Sequence, residues 1–208
     1  MGRARYLRDM SEALRAPSFD DLYRQLQALP DHLGGQIIGG ELVALPRPGS
    51  PHANAAGGLL ADLRTTFQRG SGGNPGSWWI LMEPELRFGN EIYSPDLAGW
   101  KRERLPTMPR RGRIEVTPDW VCEVLSTRTR RKDRTIKSRT YNTFGVSWMW
   151  IVDPLARTLE AYRKEGAFWT SLGTWGGDER VRAEPFDAVE LDLAHWWEGV
   201  EPEPEDDE

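Results

Sequence analysis

The sequence predicts one α/β domain built on a mixed β-sheet. Three observations carry that reading: helical apolar spacing and strand-like runs alternate along the chain, no internal repeat interrupts them, and no stretch has the composition of a domain linker. With 208 residues, 38% of them hydrophobic, and ten tryptophans, there is enough chain for one sizeable domain with a real core. The expected organisation is an N-terminal extension over 1–17, the domain over 18–200 and an acidic tail over 201–208.

The elements follow in order. Ser18 caps a helix that runs to about Ala28 and stops before Pro30, with an acid three positions after the cap. QIIGGELVAL (36–45) reads as a hairpin around Gly-Gly. Residues 52–68 place Ala56, Leu59, Leu60, Leu63 and Phe67 at helical spacing, ending at RGSGGNPGS. WWILMEPELRF (78–88) and EIYSPDLAGWK (91–101) are the arms of a second hairpin about Gly89-Asn90. A basic, Pro-rich loop (102–118) leads to a strand over Trp120 to Leu125. A helix over roughly 129–143 follows, then strands at 146–154, 158–164 and 167–172. A short strand and a helical turn close the domain near Trp197.

Cys122 is the single cysteine, so no internal disulfide framework exists, and three histidines in no ligand spacing argue against structural zinc. The N-terminus has no apolar signal core, and no stretch is long enough to span a bilayer. A soluble, cytoplasmic protein without membrane contact is the expectation. The net charge of −5 is concentrated in EPEPEDDE, which carries six acids and reads as a solubilising end. Without it 27 bases face 26 acids. The bases cluster in RTRRKDRTIKSR (128–139), with seven Lys or Arg and one acid, and in KRERLPTMPRRGR (101–113). Such runs are either solvated faces or a footprint for an anionic partner.

Glu123 is the residue that demands explanation. It lies in the middle of an otherwise apolar strand, and an unpaired buried carboxylate costs several kcal/mol (roughly), so it needs a partner. Alternation puts Glu123 and Leu125 on one face and turns Cys122 and Val124 to the other, so Cys122 reads as a small buried hydrophobe. Asp96 is the other acid lodged in an apolar strand. Two such acids from neighbouring strands make a hard-oxygen site of the kind Mg²⁺ uses. The alternative is that each pairs with an arginine from the basic runs. Asp133, Lys137 and Tyr141 share one face of the next helix, which returns about 10 Å toward the strand between Arg130 and Lys137. Lys137 can therefore point at Glu123 and Asp96, or sit in solvent paired with Asp133.

SPDLAGW, then PDWVCEVLSTRTRRKDRTIKSRTYNTFGVSWMWIVDP, then TLEAYR resembles a large bacterial restriction-endonuclease family of the PD-(D/E)xK nuclease superfamily. The likeness spans about Ser18 to Arg163. Its specificity lies in E-V-L-S, K-x-x-x-Y, G-V-x-x-x-W and V-D-P in that order. The resemblance implies a restriction endonuclease-like fold, a central mixed sheet flanked by helices, with Asp96 and Glu123 as the two motif acids. The superfamily's usual lysine position is occupied by Leu125. This chain resembles the variant in which the lysine has moved to the following helix, which points to Lys137. Glu41 and His52 fit the family's G-E-L-V and early His. Glu41 could join the site or be a hairpin-surface acid, and His52 could touch a phosphate or cap its helix. Tyr141 is expected to pack or to orient the site.

The expected activity is metal-dependent phosphodiester hydrolysis. Asp96, Glu123 and the Val124 carbonyl would hold Mg²⁺, with Mn²⁺ as an alternative, and Lys137 would stabilise transition-state charge. Arg128, Arg130, Arg131, Lys132 and Arg134, with the 101–113 run, would hold the backbone of nucleic acid, DNA in the first instance. A homodimer would suit cutting both strands of a duplex. Two other classes compete: a catalytically inactive binding module on the same fold, and an enzyme acting on a smaller nucleotide.

Overall fold

The structure, a computed structural model, describes residues 16–70, 76–110, 112–126 and 130–201. Most of the expected N-terminal extension, the acidic tail from 202 onward and Arg128 lie outside the described residues. Helix α1 (Phe19–Gln27) begins with a full capping box. The Ser18 hydroxyl accepts from the Asp21 N–H at 3.2 Å, and the Asp21 carboxylate accepts from the Ser18 N–H at 3.0 Å. Its buried Leu22 and Leu26 cover Ile37 of β1 (Leu33–Ile38), which pairs with β2 (Glu41–Pro46). The two-residue turn between them needs left-handed backbone at both positions. Gly39 and Gly40 supply it, with φ of 62° and 77°.

Helix α2 (Ser50–Leu63) starts two residues earlier than the spacing predicts, because Pro51 suits the first turn. It continues as a wide π-turn over Arg64–Gln68.

The second hairpin departs from expectation. Its arms do not run straight: each is broken, giving β3 (Trp78–Met82) and β4 (Leu86–Phe88) on one side, β5 (Glu91–Tyr93) and β6 (Leu97–Lys101) on the other. Pro84 and Pro95 stand nearly opposite each other and cannot donate to a ladder, and Glu83 takes a left-handed φ of 45°. The inner halves β4 and β5 join β1 and β2 in a four-stranded sheet ordered β2-β1-β5-β4, which the sequence does not announce. The outer halves enter a six-stranded mixed sheet. Asp96 therefore sits at the corner where one sheet gives way to the other.

Strand β7 (Trp120–Val124), buried at every position, lies inside the six-stranded sheet between β6, antiparallel, and β8 (Trp148–Asp153), parallel. The parallel pair is connected through the helical segment α3, residues 130–143. Its middle turn, Asp133–Lys137, is a π-turn between two short α-helical pieces. β9 (Thr158–Glu165) and β10 (Phe168–Gly176) complete the order β10-β9-β8-β7-β6-β3. β10 is longer than expected and carries a bulge between Ser171 and Gly173. β11 (Arg180–Val181), β12 (Leu191–Asp192) and a 3₁₀ turn over Leu193–Trp196 close the described chain.

Alternation along β7 divides the core. Trp120, Cys122 and Val124 face Leu59, Leu63 and Trp150 on the α2 side, while Val121 and Leu125 face Tyr141 and Met149 on the α3 side. Phe186 plugs the α2 side, its ring centroid 4.8 to 5.6 Å from those of Phe67, Trp78, Trp120 and Trp150. Phe186→Ala is expected to destabilise the protein by about 3–5 kcal/mol, read as a lower urea midpoint.

Candidate active site

The floor of the site follows from the sheet register. β6 and β7 pair Leu97 with Cys122, and one step further the register sets Asp96 against Glu123. Asp96 Oδ2 accepts from the Val124 N–H at 2.7 Å, tying the acid of one strand to the backbone of the next. Glu123 is only 1% exposed. Lys137 Nζ donates to its Oε2 at 2.8 Å, and the Tyr141 hydroxyl donates to Oε1 at 2.5 Å. Lys137 also lies 2.9 Å from Asp133, so the two expected fates of this lysine coexist. Both the π-turn and the α-helical piece after it present these side chains toward the sheet. Such wide turns recur where a helix must aim functional groups.

Burial pushes the Glu123 carboxyl up to about 8. The positive Lys137 opposes that shift, and the neighbouring Asp133 and Asp96 add to it. For Lys137, burial favours the neutral form, but Glu123, Asp133 and Asp96 outweigh it and hold the ammonium charged well above its ordinary range. Burial, with Glu123 adjacent, also raises the Tyr141 phenol far enough to keep it a hydrogen-bond donor.

These groups open onto a cavity of about 410 Å³, lined by Asp96, Glu123, Val124, Asp133 and Lys137 on one side and by β1, β2 and the segment after β2 on the other. His52, buried near the start of α2, also lines it. Its Nε2 lies 2.9 Å from Asp96 Oδ1, so it touches the first acid and does not cap its helix. Glu41 is exposed at the start of β2 and is not among the lining residues. Arg131 and Lys132 are exposed on α3. Arg130 lies 3.1 Å from Asp153, and Arg134 grips Glu160 through two hydrogen bonds, 3.0 and 2.5 Å. Neither acid of the site pairs with an arginine among the described residues.

No described residue of the 101–113 run lines the cavity, and Arg111 lies outside the described residues. Lys101 ends β6 five residues from Asp96, roughly 17 Å at ~3.3 Å per residue. The Arg102 guanidinium covers the Trp79 ring at 3.9 Å, and Arg104 pairs with Asp119 at 2.8 Å. These bases fasten a loop to the far end of the sheet. From the sequence Asp133 reads only as a helix-face neighbour of Lys137. At 2% exposed it is a buried member of the cluster, and its i−4 spacing from Lys137 is the only local trace of that.

Residues 20–194 match the sequence profile of the Uma2 family, described as "Putative restriction endonuclease". The chain belongs to that family. A comparison with curated proteins found no match. Among solved structures, the chain is similar to "a putative nuclease belonging to DUF820" from Anabaena variabilis. The TM-score is 0.66 at 19% identity, over 87% of this chain and 97% of that one. At that identity the likeness establishes the fold: a mixed sheet flanked by helices, as in a nuclease-fold protein.

In this Uma2 protein the donor set is compatible with a hydrated hard cation. An ionised carboxylate offers about four lone-pair sites. Asp96 commits two, to His52 and Val124, and Glu123 two, to Lys137 and Tyr141. Mg²⁺ commonly binds through one or two carboxylates plus waters and substrate phosphate. Among the described residues, no group of three or more His, Cys, Asp or Glu side chains is arranged to hold a metal ion by itself. No helix there is long and apolar enough to cross a membrane.

Proposed function

We propose that this protein is a metal-dependent endonuclease that hydrolyses phosphodiester bonds of DNA in the cytoplasm, using Mg²⁺ or, in its place, Mn²⁺. One observation carries the reading. Asp96 just before β6, Glu123 of β7 and Lys137 of α3 converge at the floor of a single cavity. Asp96 and Glu123, with the Val124 carbonyl, would hold the ion. Once bound, the ion supplies a water of lowered pKa and offsets charge building on the scissile phosphate.

The remaining work falls to the chain. Lys137, held charged by Glu123 and Asp133, presents its ammonium to the phosphate as charge develops. Tyr141 fixes the Glu123 carboxylate and His52 fixes that of Asp96, so neither acid has to reorganise during the reaction. Arg131 and Lys132, with Arg128 of the same run, contact phosphates along the strand, whereas Arg130 and Arg134 mainly brace α3.

The reading is tested by incubating the protein with supercoiled plasmid and labelled single-stranded DNA in Mg²⁺, Mn²⁺ or EDTA. Cleavage in either metal, absent in EDTA and in Asp96→Ala, is expected. Cleavage in neither metal, or cleavage that survives Asp96→Ala, would reject it. A companion expectation concerns salt. Replacing Arg131 and Lys132 together by alanine should flatten the slope of log affinity against log salt by roughly 0.7 per lost phosphate contact on a single strand.

A further inference from the structure

Two cavities meet over Asp96. The larger holds Glu123 and Lys137. A smaller one, about 210 Å³, shares Arg47, Pro48, His52, Glu83 and Asp96 with it. β2 walls the larger cavity through Val43 and Leu45, which alternate inward while Leu42 turns to the α1 cluster. Pro46 and Pro48 extend this apolar wall along the chain that leaves β2. Opposite it lie the acids and Lys137, which is 6% exposed.

A phosphate must therefore descend between an apolar wall and α3 to reach the carboxylates. In an intact duplex, pairing and stacking hold each nucleotide in place. A duplex carries its phosphates on its outer rim, but a phosphate that must enter a cavity to reach carboxylates this buried draws its nucleotide in with it, which pairing and stacking resist. Apolar side chains can sandwich a freed base. Val43, Leu45 and Pro48 supply such a surface here.

The charges point the same way. Binding a duplex draws on Lys and Arg spread over several phosphates. Arg47 at the mouth pairs with Glu83 at 3.0 Å, and on or near α3 Arg130 pairs with Asp153 and Arg134 with Glu160. That leaves exposed Arg131 and Lys132 as a short row of bases, and no described residue of the 101–113 run lines either cavity. The lining itself sets four acids, Glu83, Asp96, Glu123 and Asp133, against Arg47 and Lys137.

Building on the nuclease reading, we infer that the substrate is single-stranded DNA, laid across Asp96 with one nucleotide in each cavity. One site suffices for one strand, so this substrate does not call for the homodimer that cutting a duplex would favour.

The test compares cleavage of one labelled oligonucleotide as a single strand, as a perfect duplex and as a duplex with an unpaired bubble, in Mn²⁺. Opening a paired site costs a few kcal/mol, so the single strand and the bubble should be cut at least about tenfold faster than the duplex. Leu45→Trp, which fills the apolar side, should abolish cutting of the single strand while the melting temperature holds. Val43→Trp replaces it if that variant fails to fold. Duplex cut as fast as single strand, or full activity in the folded tryptophan variant, would overturn the inference. If no DNA is cut in any metal, the nuclease reading fails by itself, and fluorescence anisotropy of the same oligonucleotides in Ca²⁺ decides this one. Tighter binding of the single strand supports it. Equal binding, tighter duplex binding or none at all overturns it.

Discussion

Lys137→Met is expected to lower the melting temperature by roughly 10 °C at pH 8 and to reduce metal-dependent cleavage by about 10²–10³-fold. The stability loss follows from what remains. Lys137 lies 2.8 Å from Glu123 and 2.9 Å from Asp133, and both acids are almost fully buried. Removing one partner of a buried ion pair leaves an uncompensated charge and typically costs about 3–5 kcal/mol. Here one substitution strands two carboxylates. Methionine fills the space of the lysine stem, so the loss reports charge and not a cavity. The deficit should shrink at pH 5, where Glu123, raised by burial and no longer pulled down by Lys137, is protonated in the folded variant, and differential scanning calorimetry at the two pH values checks that.

Glu123→Gln should have the opposite effect on stability while abolishing activity. Burial, with Asp133 and Asp96 nearby, raises the Glu123 carboxyl to about 8, against the pull of Lys137. Between the usual carboxylate range and that value the folded protein holds more protons than the unfolded chain. Stability of the wild type therefore falls as pH rises through this window. Glutamine removes the titration and keeps the contacts: its carbonyl accepts from Lys137 while its amide donates to the Tyr141 oxygen. The variant should melt several degrees higher than wild type at pH 8, with a flat profile across the window in EDTA. Its cleavage rate should fall by about 10²–10³-fold, as befits an acid retained at a cost in stability.

The features that sequence exposes are the local ones. A glutamate amid Trp, Val, Cys and Leu is conspicuous because no buried strand carries a carboxylate without a partner. The period of the next helix puts Asp133, Lys137 and Tyr141 on the face that returns to it. The capping box at Ser18 and the Gly39-Gly40 turn were legible for the same reason, since each is written in four residues or fewer. The breaks at Pro84 and Pro95 were not. Either proline alone is compatible with a straight edge strand, and only the pairing that sets them nearly opposite each other splits the arms between two sheets. The position of the 101–113 run was hidden likewise, because it depends on the direction in which β6 leaves the site. His52 had no local signal for its contact with Asp96, which arises from the docking of α2 across the sheet end. Glu41 looked like a candidate because of its neighbours in sequence, yet the turn holds it outside the cavity.

The most direct test of the central claim, that Asp96 and Glu123 form a metal site, is a calorimetric titration of Mn²⁺ into the metal-free wild type and into Asp96→Asn and Glu123→Gln. The wild type is expected to bind Mn²⁺ saturably, and both variants are expected to lose that binding while each remains folded. Absence of binding to the wild type, or undiminished binding to Glu123→Gln, would contradict it and leave Glu123 as the structural counter-ion of Lys137.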